Sequence, residues 1–234
     1  MIVPMRYDNR TMRRLSPASL WRPGMVALYA VLALAACTGA AQDVAGTPGL
    51  VDTQAVAPAA DENTVPIVRP LRLVEMKRPF VVVFDLPAPG PNATDTLFLG
   101  IRVNAEDSQQ SAMVSDRVIA AGLDAEVNLM RIDSPTTQAI PLVRVDTSGQ
   151  APAVLVPVGP DGHVFGVRRD DVDDTSIDQA GRASTAGYSR YLSFALAQNL
   201  APGRYRLSVR IAKESAELSG LDSELLVAYR HKSK

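Results

Sequence analysis

Cys37, the one cysteine of the chain, is the residue whose type and setting most directly suggest chemistry. It follows Leu34, Ala35 and Ala36, where an uncharged apolar run ends and a tract of small polar residues begins. A thiolate is a good nucleophile. We therefore expect Cys37 to be modified covalently.

The residues before Cys37 have the layout of a secretory signal. The uncharged run at 24–36 is about 13 residues long, shorter than the roughly 18 residues that a membrane-spanning helix needs. Because the positively charged end is long, Met1, Met5 and Met12 are all candidate start residues. That end contains five arginines: Arg6, Arg10, Arg13, Arg14 and Arg22.

Together, Leu34-Ala35-Ala36-Cys37 resembles the lipobox of bacterial lipoproteins. The resemblance implies that a signal peptidase recognises Leu34, Ala35 and Ala36, and that Cys37 becomes an acylated N-terminus. Several acyl chains hold a protein on a membrane far more firmly than one chain does. Thr38 stands where an aspartate would favour the inner membrane, so we expect an outer-membrane anchor facing the periplasm. The alternative is an ordinary secretory signal, in which Cys37 has no role.

Composition indicates a single folded domain behind this signal. Hydrophobic residues make up 47% of the 234 residues, and the formal net charge is -1. This balance excludes a basic nucleic-acid-binding protein. We expect a signal peptide at 1–36, a lipidated N-terminus with a flexible linker at 37–68, and a folded domain at 69–231. One cysteine excludes an internal disulfide bond.

The folded part shows the period-two pattern of antiparallel strands. In "RYRLSVRI" the apolar residues alternate with arginines and a serine, which predicts one buried and one solvated sheet face. Pro202-Gly203 precedes it, and we expect a hairpin with the strand at 188–196. We predict a mainly β, antiparallel Ig-like sandwich of about seven strands, with one short helix at 107–122. The other strands are expected at 80–86, 96–103, 126–133, 140–146 and 224–230.

Two features of the domain are candidate contact sites. Arg204, Arg206 and Arg210 form a basic strip on the solvated face, which attracts an acidic partner or phospholipid headgroups; the alternative is a plain solvated face. Residues 148–187 are expected to contain an extra hairpin around 159–162 and an acidic loop, suited to binding a partner; the alternative is a disordered excursion with no role.

No catalytic, cofactor or metal site is predicted. The aspartates at 170–178 could bind calcium, but their spacing matches no EF-hand loop, which favours a solvated acidic loop. His163 and His231, the two histidines, lie beside a turn and in the terminal tail, which are poor positions for a catalytic base. We expect no bound cofactor.

The C-terminal segment "LAPGRYRLSVRIAKESAELSGLDSELLVAY" resembles a family of bacterial lipoproteins defined only as a domain of unknown function. The resemblance spans about 80–229, departs at 148–187, which is interpreted as an insertion, and implies a β-sandwich on a lipid anchor without identifying a catalytic residue. The residues that carry it are Pro202, Gly203, Tyr205, Lys213, Glu217, Leu218 and Gly220.

Two functional hypotheses follow from the sequence. The first is a non-catalytic lipoprotein that binds a periplasmic protein, in its most specific form an immunity protein against a secreted effector. The second is a cell-envelope hydrolase whose carboxylate site the sequence does not reveal.

We predict that Cys37→Ser abolishes acylation and moves the protein from the membrane fraction to the soluble or unprocessed fraction, because the thiol is the acyl acceptor. Metabolic labelling with a radioactive fatty acid and membrane fractionation measure this. Unchanged labelling and membrane attachment of the variant would contradict the lipobox interpretation.

Overall fold

The computed structural model describes residues 62–133, 135–146, 153–213 and 215–232. The predicted signal peptide and lipidation site, and most of the predicted linker, lie outside these ranges. None of the helices in the described part combines the length and apolarity that a membrane span requires. The first strand begins at Ile67, two residues before the domain start expected at 69.

Most of the described chain is β-strand. The strands of the first half are β1 (Ile67–Pro70), β2 (Phe80–Leu86), β3 (Ala93–Ala105), β4 (Asp124–Arg131), β5 (Gln138–Ala139) and β6 (Val143–Asp146). Those of the second half are β7 (Val154–Pro157), β8 (His163–Phe165), β9 (Arg168–Arg169), β10 (Tyr188–Gln198), β11 (Gly203–Lys213) and β12 (Ser223–His231). The two α-helices among the described residues are α1 (Ser108–Ala120) and α2 (Asp174–Gln179).

These strands form two antiparallel sheets. The seven-stranded sheet has the order β1-β12-β3-β10-β6-β7, with β9 also paired to β10. The five-stranded sheet has the order β2-β11-β4-β5, with β8 also paired to β4. The prediction of a mainly antiparallel β-sandwich is confirmed. All seven predicted strands are present, and β1, β5, β7, β8 and β9 are short additions to them.

The core between the sheets follows the alternation read from β11. Leu207 and Val209 are fully buried, whereas Arg206 is exposed and Ser208 is half-buried. The buried residues of β11 pack with those of both sheets in one cluster. A one-residue slip of β11 would bring its arginines into this core, which desolvation makes very costly.

The outer face of the seven-stranded sheet is covered by a third layer. Phe98 on β3, Leu196 on β10 and Leu226 on β12 point away from the first core, yet all three are fully buried. Val172 and Ile177, from the segment that contains α2, pack with them in a second apolar cluster. A strand that is buried on both faces, as β3 is, has a continuous apolar run in its sequence.

Helix α1 begins and ends as the sequence predicts. The Asp107 carboxylate accepts a hydrogen bond from the backbone N–H of Gln110 at 2.7 Å, which caps the first turn. Gly122 follows the last turn with a φ of 62°, a conformation that glycine adopts without strain. Val118 is buried against the core, whereas Met113 on the same helix is 56% exposed.

Both predicted hairpins are wrong. β10 lies in the seven-stranded sheet and β11 in the five-stranded sheet, so the turn at Pro202-Gly203 crosses from one sheet to the other. In the same way β7 pairs with β6, whereas β8 pairs with β4 in the opposite sheet. A glycine- and proline-containing turn permits a reversal of the chain but does not determine which sheet the next strand joins.

Residues 153–187, the described part of the predicted insertion, are part of the fold and not a peripheral excursion. Val164 and Val167 belong to the main core, and Val172 and Ile177 cover the second sheet face. Each of the four is at most 2% exposed. Removing the segment would therefore expose apolar surface on both sheets.

We predict that Leu207→Ala lowers the free energy of unfolding by about 2–5 kcal/mol, because it opens a cavity in the core. Its neighbour Ser208 is the matched control, and Ser208→Ala should change stability by about 0.5 kcal/mol or less. Urea unfolding followed by circular dichroism measures both. Equal losses in the two variants would contradict the assignment of opposite faces.

Candidate functional site: the open face of the five-stranded sheet

The outer face of the five-stranded sheet has no covering layer among the described residues. Its middle is built by β2, β11 and β4, whose outward side chains are half-buried or exposed. Val81 on β2 is 51% exposed. We call the outward residues of these three strands the open face: Val81, Val83, Asp85, Glu126, Asn128, Met130, Arg204, Arg206, Ser208 and Arg210.

The three predicted contact arginines all lie on the open face, but their surroundings differ. Arg210 pairs with Glu126, its cross-strand neighbour on β4, and its Nε lies 2.9 Å from Glu126 Oε2. Arg204 lies opposite Asp85 on β2. Among the described residues only Arg210 of the three forms an ion pair, whereas Arg204 has an acidic cross-strand neighbour with which it does not pair.

Arg206 is the member of the three that has no acidic cross-strand neighbour. It is exposed, and its cross-strand neighbours are Val83 on β2 and Met130 on β4, both half-buried apolar residues. Among the described residues the Arg206 side chain forms no ion pair. A free guanidinium between apolar side chains is a surface that can bind a carboxylate with little competition from the protein's own acids.

A charged clamp holds the end of the open face. Arg131 Nε donates to Asp133 Oδ1 at 2.6 Å, and Arg131 Nη2 donates to Asp133 Oδ2 and to the Pro202 carbonyl oxygen, each at 3.1 Å. The backbone N–H of Arg204 donates to Asp133 Oδ2 at 3.2 Å. A Cβ at Gly203 would overlap the Asp133 carboxylate, so glycine lets the turn approach the clamp.

The clamp also shifts the acid–base behaviour of its carboxylate. The hydrogen bond from the Arg131 guanidinium lowers the pKa of Asp133 from 3.8 to about 2, with a smaller effect of the Arg204 N–H in the same direction. The same hydrogen bond raises the pKa of Arg131. The ion pair therefore persists throughout the neutral range and fixes where β11 enters the sheet.

The aspartates at 170–178 have different structural roles. Asp170 is 3% exposed in its side chain and pairs with Arg230 at 2.7 Å. Asp173 is buried beside the start of α2, and Asp174 accepts a hydrogen bond from Tyr191. Asp171 and Asp178 are exposed. Within the described ranges no group of three or more histidine, cysteine, aspartate or glutamate side chains is placed to hold a metal ion.

The two histidines lie apart from each other on different sheets. His163 Nε2 lies 2.6 Å from Asp124 Oδ1 at the edge of the five-stranded sheet. His231 ends β12 in the other sheet and is exposed. No described serine or cysteine hydrogen-bonds to either imidazole.

The sequence analysis missed a buried ion pair in the seven-stranded sheet. Arg102 on β3 is 3% exposed, and its Nε lies 2.7 Å from Glu224 Oε2 on β12. The signal that could have found it is an arginine inside the otherwise apolar "LFLGIRV". A charge in a strand that is buried on both faces requires a partner.

No protein-family model and no curated protein matches the chain. A crystal structure of a protein from Sulfurospirillum deleyianum is similar to it with a TM-score of 0.35 and 10% sequence identity. The similarity covers 72% of this chain and 98% of that one. This TM-score is too low to transfer a fold or a function. The resemblance of the C-terminal strands to a lipoprotein family stays a prediction.

We predict that Asp133→Asn flattens the acid limb of the stability profile. The folded pKa of Asp133 is lowered to about 2, so its ionised form stabilises the fold above pH about 4, and this contribution disappears as the pH falls through about 2. Urea unfolding at a series of pH values measures the change. Asp222→Asn, at an exposed carboxylate without an ion pair, is the control; an identical effect there would contradict the role of the clamp.

Proposed function

We propose that this protein is a lipid-anchored protein of the bacterial envelope that binds an acidic surface of another protein and has no catalytic activity of its own. The observation that carries the proposal is Arg206, an exposed cation between Val83 and Met130 on the open face. In this proposal the acylated Cys37 holds the domain at the outer membrane, facing the periplasm.

Composition of the open face supports a protein partner. Val81 is more than half exposed, and Val83 and Met130 offer further apolar surface beside Arg206. Arginine and methionine are enriched in protein interfaces, which combine apolar contact with a few oriented polar groups. A carboxylate of the partner would accept a bidentate hydrogen bond from the guanidinium, and apolar residues around it would exclude water.

Charge favours an acidic partner. Arg204 and Arg206 are exposed, while Asp85 is the exposed acid of the same face, so the open face keeps a positive bias around Arg206. An immunity protein that neutralises a secreted effector is the most specific form of the proposal. Its effector would then present carboxylates to the open face.

The experiment places a photo-crosslinking amino acid at Val81 in the full chain and, as a control, at Gln179 on the exposed side of α2. We expect a discrete adduct in cells from position 81 and not from 179. Arg206→Glu should reduce the adduct about tenfold, because reversing an interfacial charge costs affinity. Lys213→Glu, an exposed cation at the end of the same strand, should leave it unchanged.

Three results would contradict the proposal. They are the absence of an adduct from position 81, an adduct that Arg206→Glu does not weaken, and an equal loss in Lys213→Glu. The alternative of an envelope hydrolase is tested separately, by incubating the purified full chain with peptidoglycan and with phospholipid vesicles. Turnover of either substrate would overturn the non-catalytic part of the proposal.

A further inference from the structure

A polar cavity lies in the layer that covers the outer face of the seven-stranded sheet. The open face belongs to the other sheet, on the opposite side of the sandwich. Its volume is about 310 Å³, close to the lower end of the roughly 300–1,000 Å³ range of small-molecule sites. It lies between β3, α2 and the segment that leads into β10. Its lining includes Arg102, Asp174, Asp178, Ser184 and Tyr191.

Arg102 provides a buried cation in the wall of the cavity. The residue is 3% exposed. Its Nε donates to Glu224 Oε2 at 2.7 Å, and its Nη1 donates to the carbonyl oxygen of Arg182 at 2.7 Å. Its Nη2 donates to none of the described residues. The guanidinium is thus held rigidly by two partners and keeps N–H groups for a ligand.

Further hydrogen bonds hold the Glu224 carboxylate in place, so it does not move to occupy the remaining N–H groups of Arg102. Asn104 Nδ2 donates to Glu224 Oε2 at 2.8 Å. Ser189 in turn donates its hydroxyl to Asn104 Oδ1 at 2.9 Å. This chain of hydrogen bonds joins β10, β3 and β12, and it preorganises the wall on which Arg102 lies.

Two carboxylates give the cavity negative charge in addition to the positive charge of Arg102. Asp174 and Asp178 are four residues apart on α2, so both lie on one side of that helix. The Tyr191 hydroxyl donates to Asp174 Oδ1. Burial, and then this hydrogen bond, raise the pKa of Tyr191, so the phenol remains a donor at neutral pH and orients Asp174. Asp178 forms no ion pair within the described ranges.

We propose that this cavity binds a small zwitterion of the amino-acid or dipeptide class. The ligand carboxylate accepts from Arg102 Nη2, and the ligand ammonium faces Asp174 and Asp178. A ligand with only a negative charge meets two carboxylates that form no ion pair with the described residues, and one with only a positive charge leaves Arg102 Nη2 without an acceptor. The site lies apart from the open face, so it is independent of the proposed protein partner.

The test titrates the full chain with three probes by isothermal calorimetry: glycylglycine, N-acetylglycylglycine and glycylglycinamide. The first carries both charges, the second only the carboxylate and the third only the ammonium. We expect glycylglycine to bind with a Kd of about 1 mM or tighter, and each capped probe about tenfold more weakly.

A matched pair of variants localises the binding. Asp178→Asn removes one cavity carboxylate and should weaken glycylglycine binding about tenfold. Asp171→Asn removes an exposed carboxylate of the same segment that lies outside this cavity, and binding should be unchanged. Both residues are exposed, so neither change affects the core, and thermal unfolding of each variant verifies this.

Four results would overturn the inference: no binding of glycylglycine up to about 10 mM, a capped probe that binds as tightly as glycylglycine, unchanged binding in Asp178→Asn, or an equal loss in Asp171→Asn. None of these measurements depends on the protein partner. Failure of the inference is therefore distinguishable from failure of the proposed function.

Discussion

The structure depends on the burial of β3 on both of its faces. Leu97, Leu99 and Ile101 face the core between the sheets, while Phe98 points the other way. If they were exposed, Phe98, Leu196 and Leu226 would form a large apolar patch, which the surfaces of monomeric proteins rarely carry. The covering segment around α2 removes that patch from water, so the sandwich requires a third layer.

The same constraint explains the buried ion pair. Arg102 lies on the covered side of β3, where it is 3% exposed, and a lone buried cation would be very costly. Glu224 on the next strand neutralises it, and the Arg182 carbonyl oxygen from the covering segment accepts one of its N–H groups. The covering layer is therefore tied to the sheet by polar contacts as well as by apolar packing.

The five-stranded sheet needs no cover, because its outward positions alternate as a solvated sheet should. The arginines and Ser208 of β11 are polar, and Asn128 and Glu126 of β4 are polar as well. Val81, Val83 and Met130 interrupt this pattern on the open face. One sheet surface is thus buried within the fold, and the outer surface of the other is open to solvent.

Sequence periodicity predicted the parts of the fold that local residues determine. The sequence of β11 alone shows the alternation of Tyr205, Leu207, Val209 and Ile211 with polar residues. All four of these residues are buried in the structure. The sheet that each strand joins was not predictable, because the connections at Pro202-Gly203 and at 159–162 permit either outcome.

Charge pairing on the open face was unpredictable for a related reason. Arg210 meets Glu126 only through the register between β11 and β4, which are separated by more than seventy residues. The arginines looked equivalent in sequence, since all three share one side of β11. Cross-strand neighbours alone make Arg206 different, and no local pattern reveals a cross-strand neighbour.

In the covering layer, packing against the sheet and lining of the cavity depend on different residues. Val172 and Ile177 are buried against the sheet, so their size and apolar character are set by packing. Asp178 and Ser184 line the cavity and contribute nothing to that cluster. Substitutions at the cavity positions can therefore change what the cavity binds while the sheet stays covered. Cavity chemistry and fold stability are separable in this layer, although both belong to one continuous segment.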